Sequence, residues 1–171
     1  MATGLYGKLP AHGDFVRRGL PDGFVAGWDA WLQAGILAAR DTLGEGFGPA
    51  WDAAPAWCFR LPAGACGRAA MAGVMLPSRD LVGRRFPLTL AAPVGATPPG
   101  QAWYDALLKA AWDAYHQERE ADLLLAALPS IDPWREATAP EAGWWTIPET
   151  HWALPELPPP AQFQIFVHGG A

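Results

Sequence analysis

Three apolar segments follow one another between residues 56 and 92, and they constrain the fold more than any other feature. They are Ala56–Leu61, Arg68–Leu76 and Phe86–Ala92, and a Gly/Pro-rich turn at residues 62–67 joins the first two. Each contains enough β-branched, aromatic or other apolar residues to form a strand. A parallel pair would need a crossover of about a dozen residues or more. The short connections therefore predict an antiparallel meander.

Two long helices are predicted on either side of these strands. The first extends from Pro21 to Gly44, because tryptophans and aliphatic residues recur there at helical spacing. The second begins after the Pro-rich residues 93–100 and has an apolar face through Trp103 and Leu107. Residues 118–128 either continue it or form a separate helix that ends before Pro129.

Shorter strands are predicted at Leu5–Leu9, Trp144–Ile147 and, at the end of the chain, Phe163–Val167. Together these elements predict an α+β fold with a central, largely antiparallel sheet flanked by two or three long helices. The chain has 171 residues, of which 51% are hydrophobic and 17% charged. We therefore expect one packed domain over residues 1–171.

The distribution of charge bears on the class of partner. The net charge is −5, and residues 86–171 carry three basic against ten acidic residues. No basic stripe with interleaved aromatic residues is present, so a nucleic acid is not an expected partner. No apolar run of about 18 residues and no signal sequence occurs, which predicts a cytoplasmic protein without membrane insertion.

Several kinds of catalytic or metal site are not expected from the sequence. Cys58 and Cys66 have no CxxC spacing and are expected to be buried free thiols. The histidines are scattered, and the sequence has no phosphate-binding loop, GxSxG or SxxK motif. We therefore expect neither a metal nor another cofactor. The ten tryptophans are mostly core candidates, although exposed ones in the Pro-rich C-terminal part would indicate an interface.

Two phrases, residues 7–15 and residues 76–88, combine turn-forming residues with charge and are the best candidates for function. Their candidate partner-binding residues are Lys8, His12, Asp14, Ser78, Arg79, Asp80, Arg84 and Arg85.

Each phrase has a structural alternative. Asp14 could accept backbone N–H groups within its own turn rather than act with His12 in acid–base catalysis. An Arg–Asp pair could lock the second loop rather than contact a partner. A small hydrolase or anion-binding enzyme would require His12, Asp14, Ser78 and Asp80 to converge in one deep pocket.

The order and spacing of several phrases resemble the TagF family of type VI secretion-associated proteins. The phrases that carry the resemblance are Gly7-Lys8-Leu9-Pro10, Gly13-Asp14-Phe15-Val16, Leu20-Pro21 with Trp28-Asp29-Ala30-Trp31-Leu32, Pro55-Ala56-Trp57, and Gly73-Val74-Met75-Leu76-Pro77-Ser78-Arg79-Asp80 followed by Gly83-Arg84-Arg85-Phe86-Pro87-Leu88. The likeness is strong over residues 4–92, thins towards Leu128 and is weak beyond Ser130.

The resemblance implies a cytoplasmic accessory protein that represses type VI secretion after translation by binding other proteins. In some family members this repression involves an FHA-domain scaffold protein of the same system. The family works without catalysis of its own, so the resemblance implies no catalytic residues and a protein that is not an enzyme. It also implies a central, largely antiparallel sheet of longin-like type.

Overall fold

A seven-stranded antiparallel sheet forms the middle layer of the structure. The structure is a computed structural model, and it describes residues 1–136, 138–147 and 150–168. The strands are β1 (Gly4–Gly7), β2 (Val16–Arg18), β3 (Trp57–Leu61), β4 (Met71–Leu76), β5 (Leu88–Pro93), β6 (Gly143–Thr146) and β7 (Thr150–Trp152). The helices are α1 (Asp22–Leu43), α2 (Phe47–Asp52), α3 (Gln101–His116), α4 (Ala121–Ala127) and α5 (Gln164–His168).

The strand order is β2-β1-β5-β4-β3-β6-β7. The meander predicted for β3, β4 and β5 is confirmed, since Trp57 pairs with Met75 and Val74 pairs with Leu90. β1 lies beside β5, where Leu5 pairs with Leu90. This pairing brings the end of β1 next to the loop that precedes β5.

Helices cover both faces of the sheet, which confirms the α+β prediction. On one face, Trp28 of α1 packs against Phe59 and Trp144, and its indole N–H donates to Thr89 Oγ1 at 2.9 Å. On the other face, buried residues of α3, including Tyr104, join a core with residues of β3 and β4. Because side chains alternate along a strand, β3 directs Trp57, Phe59 and Leu61 to the first core and Cys58 to the second.

The helix boundaries follow the turn-forming residues. α1 begins after Pro21, and Gly44 ends it with a φ of 52° and a backbone N–H that donates to the Arg40 carbonyl oxygen. α4 is separate from α3, because the chain leaves the helix at Gln117 and Glu118 has a positive φ of 49°.

The strand predicted at residues 163–167 is wrong, since this segment forms α5. Phe163, Phe166 and Val167 are buried, and their i, i+3, i+4 spacing places them on one side of a helical turn. Phe166 contacts the rings of Trp31, Trp57 and Trp144 on the α1 side of the sheet. The segment therefore closes the first core instead of adding a strand.

The cysteines and tryptophans lie mostly in the interior. Cys58 and Cys66 are free and buried, as predicted, and burial raises the pKa of the Cys66 thiol to about 11. All ten tryptophans are buried or half-buried, so exposed anchors of an interface must be other residue types. No helix in the described ranges is long and apolar enough to cross a membrane.

Candidate functional site

The two charged phrases lie side by side at one end of the sheet, because β1 pairs with β5. The Ser78 hydroxyl donates to the carbonyl oxygen of Lys8 at 2.7 Å, and the Leu81 N–H donates to the carbonyl oxygen of His12 at 2.8 Å. Gly7 permits this close approach: its φ is 131°, and a Cβ there would lie 2.0 Å from the Pro87 carbonyl oxygen. The glycine is thus required by the junction of the two phrases.

An ion-pair cluster of Lys8, Arg84 and the buried Asp80 holds the two loops together. Asp80 Oδ2 lies 2.9 Å from Lys8 Nζ and 2.7 Å from Arg84 Nε. The Asp80 side chain is 0% exposed and that of Lys8 is 9% exposed, whereas the Arg84 side chain is 62% exposed. Arg84 Nη2 also donates to the Gly13 carbonyl oxygen at 2.7 Å, so the cluster connects both phrases directly.

The surroundings of Asp80 keep it ionised. Burial alone would raise the pKa of this carboxyl, but hydrogen bonds from the Lys8 side chain and from the Arg84 backbone and side chain, with the Lys8 charge, hold it well below its usual range. A buried carboxylate with these partners is a structural charge rather than a proton carrier at neutral pH.

The same carboxylate shapes the tip of the second loop. Asp80 Oδ1 accepts the backbone N–H groups of Val82 at 3.1 Å and Arg84 at 2.9 Å, and Gly83 adopts a φ of 87°. The turn thereby presents Leu81 and Val82 to solvent, with 61% and 70% of their surfaces exposed.

His12 and Asp14 have separate structural partners. The Ala121 N–H at the start of α4 donates to His12 Nε2 at 3.0 Å. Asp14 is exposed, and its Oδ1 accepts the Phe15 N–H at 2.7 Å, which is the backbone contact that its turn position favours. The structure therefore does not bring His12 and Asp14 together as an acid–base pair.

Arg79 and Arg85 each have an acidic partner outside the ion-pair cluster. Arg85 forms a bidentate salt bridge with Asp52 of α2, in which Nε donates to Oδ1 at 2.9 Å and Nη2 donates to Oδ2 at 2.7 Å. This hydrogen bonding lowers the pKa of Asp52. Arg79 lies 3.6 Å from Glu118 and 5.9 Å from the ring centre of Tyr115. The three arginines of this loop thus pair with three different carboxylates, those of Glu118, Asp80 and Asp52.

A groove of about 540 Å³ lies between this loop and the end of α1, and it was not predicted from the sequence. We call it the arginine groove; its lining residues are Lys8, Arg40, Gly44, Phe47, Gly48, Gly83, Arg84 and Arg85. Arg40 is exposed and covers the Phe47 ring at 5.1 Å. Its position in the last turn of α1, distant in sequence from both phrases, explains why motif analysis missed it.

Fold and site together define an α+β protein whose charged loops are locked to each other and whose loop end exposes apolar and arginine side chains. The model of the TagF N-terminal domain, described as type VI secretion system-associated, matches residues 4–131, and the chain belongs to this family. The matched range extends through α4, about as far as the resemblance predicted from the sequence.

A solved structure supports the same fold over almost the whole chain. The crystal structure of PA0076 from Pseudomonas aeruginosa PAO1, at 2.05 Å resolution, is 28% identical in sequence and superposes with a TM-score of 0.81. The match covers 98% of this chain and 94% of PA0076. No curated protein sequence is significantly similar to the chain.

Proposed function

We propose that this type VI secretion-associated protein is a cytoplasmic, non-enzymatic repressor that acts by binding a protein component of the secretion system. The observation that carries the proposal is the tip of the second loop, where Leu81 and Val82 are exposed on a turn fixed by buried Asp80. Since the turn is already ordered, binding there costs little additional conformational entropy.

Other exposed apolar side chains lie at the same end of the molecule. Phe15 is 42% exposed and packs edge-on against Phe86 at 4.8 Å, and Leu37 of α1 is 61% exposed. Both line a groove of about 420 Å³ that shares Arg40 and Arg85 with the arginine groove. Apolar side chains that cluster beside cations are typical of protein-binding surfaces rather than of scattered exposure.

The hydrolase alternative has less support. Ser78 is 2% exposed, and its hydroxyl donates to a backbone carbonyl oxygen, while Asp80 is fully buried between two cations. His12 Nε2 accepts a hydrogen bond from the Ala121 N–H at the start of α4, and Asp14 is exposed on the surface. These four side chains do not converge in a pocket that a substrate could enter.

Repression by such a protein would operate through sequestration, with the complex removing a component from the pool available for assembly. Affinity and abundance, rather than turnover, then set the extent of repression. In some family members an FHA-domain scaffold is involved, and a component of this kind is the first partner to test for this chain.

The test is the double variant Leu81→Asp with Val82→Asp, expressed from the native locus in the bacterium. We expect co-precipitation of the secretion component to be lost and secretion into the medium to rise, because two charges cannot enter an apolar interface without a large desolvation cost. Leu123→Asp on α4 is the matched control, since Leu123 is 63% exposed.

Urea unfolding of each purified variant separates loss of binding from loss of folding. Reversing the charges of Arg79, Arg84 and Arg85 together is a weaker test than the Leu81/Val82 variant. A carboxylate at position 84 would face the buried Asp80, so loss of binding could result from disruption of the loop. Retained capture of the component by a folded Leu81/Val82 variant would refute the proposed interface.

A further inference from the structure

The arginine groove has more positive charge than its own carboxylates neutralise. Four cations line it, Lys8, Arg40, Arg84 and Arg85, while Asp80 and Asp52 are the only carboxylates of the described residues within ion-pairing distance of them. No described carboxylate lies within ion-pairing distance of Arg40, which only covers an aromatic ring. The groove is therefore a local cationic surface on a chain of net charge −5.

The neighbouring apolar groove is continuous with this cationic one. Arg40 and Arg85 line both, and the apolar side is provided by Phe15, Ile36, Leu37 and Phe86. A ligand that fits the two grooves together needs an anionic group beside an apolar side chain, spaced as neighbouring residues of a polypeptide are.

We infer that the two grooves together bind an acidic peptide segment of the partner protein, with a carboxylate between Arg40 and Arg84 and an adjacent apolar side chain against Phe15 and Leu37. This inference rests on the proposed function and specifies the chemistry of the partner. Guanidinium groups suit carboxylates because their planar N–H donors match the two oxygen atoms. A nucleic acid fits less well, since the cations are confined to one groove and adjoin apolar side chains.

The binding probes are poly-L-glutamate, a random copolymer of glutamate and tyrosine, and a single-stranded DNA oligonucleotide, each titrated calorimetrically into the full chain. We expect the copolymer to bind about tenfold more tightly than polyglutamate, since aromatic side chains add apolar contact. Raising the salt concentration should weaken both interactions, because the groove is open to solvent. DNA that binds as tightly as the copolymer would overturn the inference.

Charge reversal at Arg40 is the decisive variant, because Arg40 has no ion pair among the described residues and its loss should leave the fold intact. Arg40→Glu should lower the affinity for both polymers by about tenfold. Arg68→Glu is the matched control, since Arg68 is also exposed but lies before β4, at the opposite end of that strand from Ser78. Equal losses in the two variants would show that only net charge matters.

Two further variants divide the site into its parts. Gly48→Gln should block the arginine groove without changing its charge. A Cβ at Gly48 would lie 3.5 Å from the Arg85 guanidinium, an ordinary contact distance, so the rest of the glutamine side chain would occupy the groove. Leu37→Ser should reduce copolymer affinity to that of polyglutamate and leave polyglutamate binding unchanged. Failure of either variant to weaken copolymer binding would contradict the assigned position of the peptide.

Capture experiments in the bacterium distinguish this inference from the proposed function. If wild-type protein captures a secretion component and Arg40→Glu captures it equally well, while Leu81→Asp with Val82→Asp does not, the peptide site is refuted and the repressor role is supported. If the wild type captures no secretion component, the repressor role fails, and the polymer titrations decide the groove chemistry independently.

Discussion

Replacing Lys8 by methionine tests whether the buried ion pair holds the two loops together. Methionine keeps much of the length of the side chain but removes the cation 2.9 Å from Asp80 Oδ2. Asp80 is then left as a buried carboxylate with Arg84 Nε and two backbone N–H groups as partners. Removing one member of a buried pair costs about 3–5 kcal/mol. We expect about 3 kcal/mol, the lower end, because Arg84 remains.

Urea unfolding followed by tryptophan fluorescence measures this loss. With an m-value of about 2 kcal/mol per molar urea, a loss of about 3 kcal/mol lowers the midpoint by about 1.5 M. High salt should reduce this loss less than it reduces the effect of breaking an exposed pair, because the side chains of Lys8 and Asp80 are only 9% and 0% exposed.

The matched control is Lys109→Met, which removes an exposed lysine 2.7 Å from Asp113 on α3. Such i, i+4 surface pairs contribute about 0.3–0.5 kcal/mol. A further comparison places Asp80→Asn in the Lys8→Met background. There it should lower the free energy of unfolding by less than it does in the wild type, because the neutral amide is not destabilised by the loss of the Lys8 cation. A midpoint shift for Lys8→Met no larger than that for Lys109→Met would refute the structural role of the cluster.

Two other predictions concern acid and packing. Because the folded-state pKa of Asp80 is depressed, its contribution to the free energy of unfolding is present above the unfolded pKa of 3.8 and lost as pH falls below it. Asp80→Asn should therefore flatten the decline in the free energy of unfolding between about pH 4 and pH 2. An unchanged slope of the free energy of unfolding against pH would contradict this. Gly35→Ala would place a Cβ 2.3 Å from Phe163 Cδ2, so it should lower the free energy of unfolding by about 1–3 kcal/mol. Adding Phe163→Leu should recover part of that loss, so that the double variant loses less than the sum of the two single variants. Simple additivity of the two changes would be evidence against the contact.

Local pattern was sufficient to predict the elements whose own residues determine them. Proline and glycine delimit α1, and apolar runs with short connections specify β3, β4 and β5. The three-residue strands β2 and β7 could not be predicted in this way. Each is stabilised by pairing with a neighbour, β1 or β6, rather than by its own sequence.

The misassigned C-terminal segment shows the limit of alternation as a signal. Phe163-Gln164-Ile165-Phe166-Val167 alternates partly, but its i, i+3, i+4 apolar residues also fit a helical turn. Tertiary contacts decided between the two, since Phe163 fits against Gly35 and Phe166 against the tryptophan cluster. A sequence window of five residues does not contain that information.

The candidate site was partly predictable for a similar reason. Turn-forming residues and charges marked both loops, but their contact depends on β1 lying beside β5, a pairing between strands far apart in the sequence. Arg40 joins the site because α1 packs on the sheet and ends near Phe47. Such convergence arises from topology, so the composition of the two phrases alone could not locate the groove.

The distribution of residues within the second loop inverts the usual expectation for a charged turn. Asp80 is buried and fixes the backbone, whereas Leu81 and Val82, which could bury apolar surface, are exposed. Disrupting Lys8 or Asp80 should therefore lower stability and partner binding together. Changing Leu81 and Val82 should lower binding alone, because their exposed side chains contribute little to the core. Comparing stability with binding for these two classes of variant separates the residues that build the site from those that contact the partner.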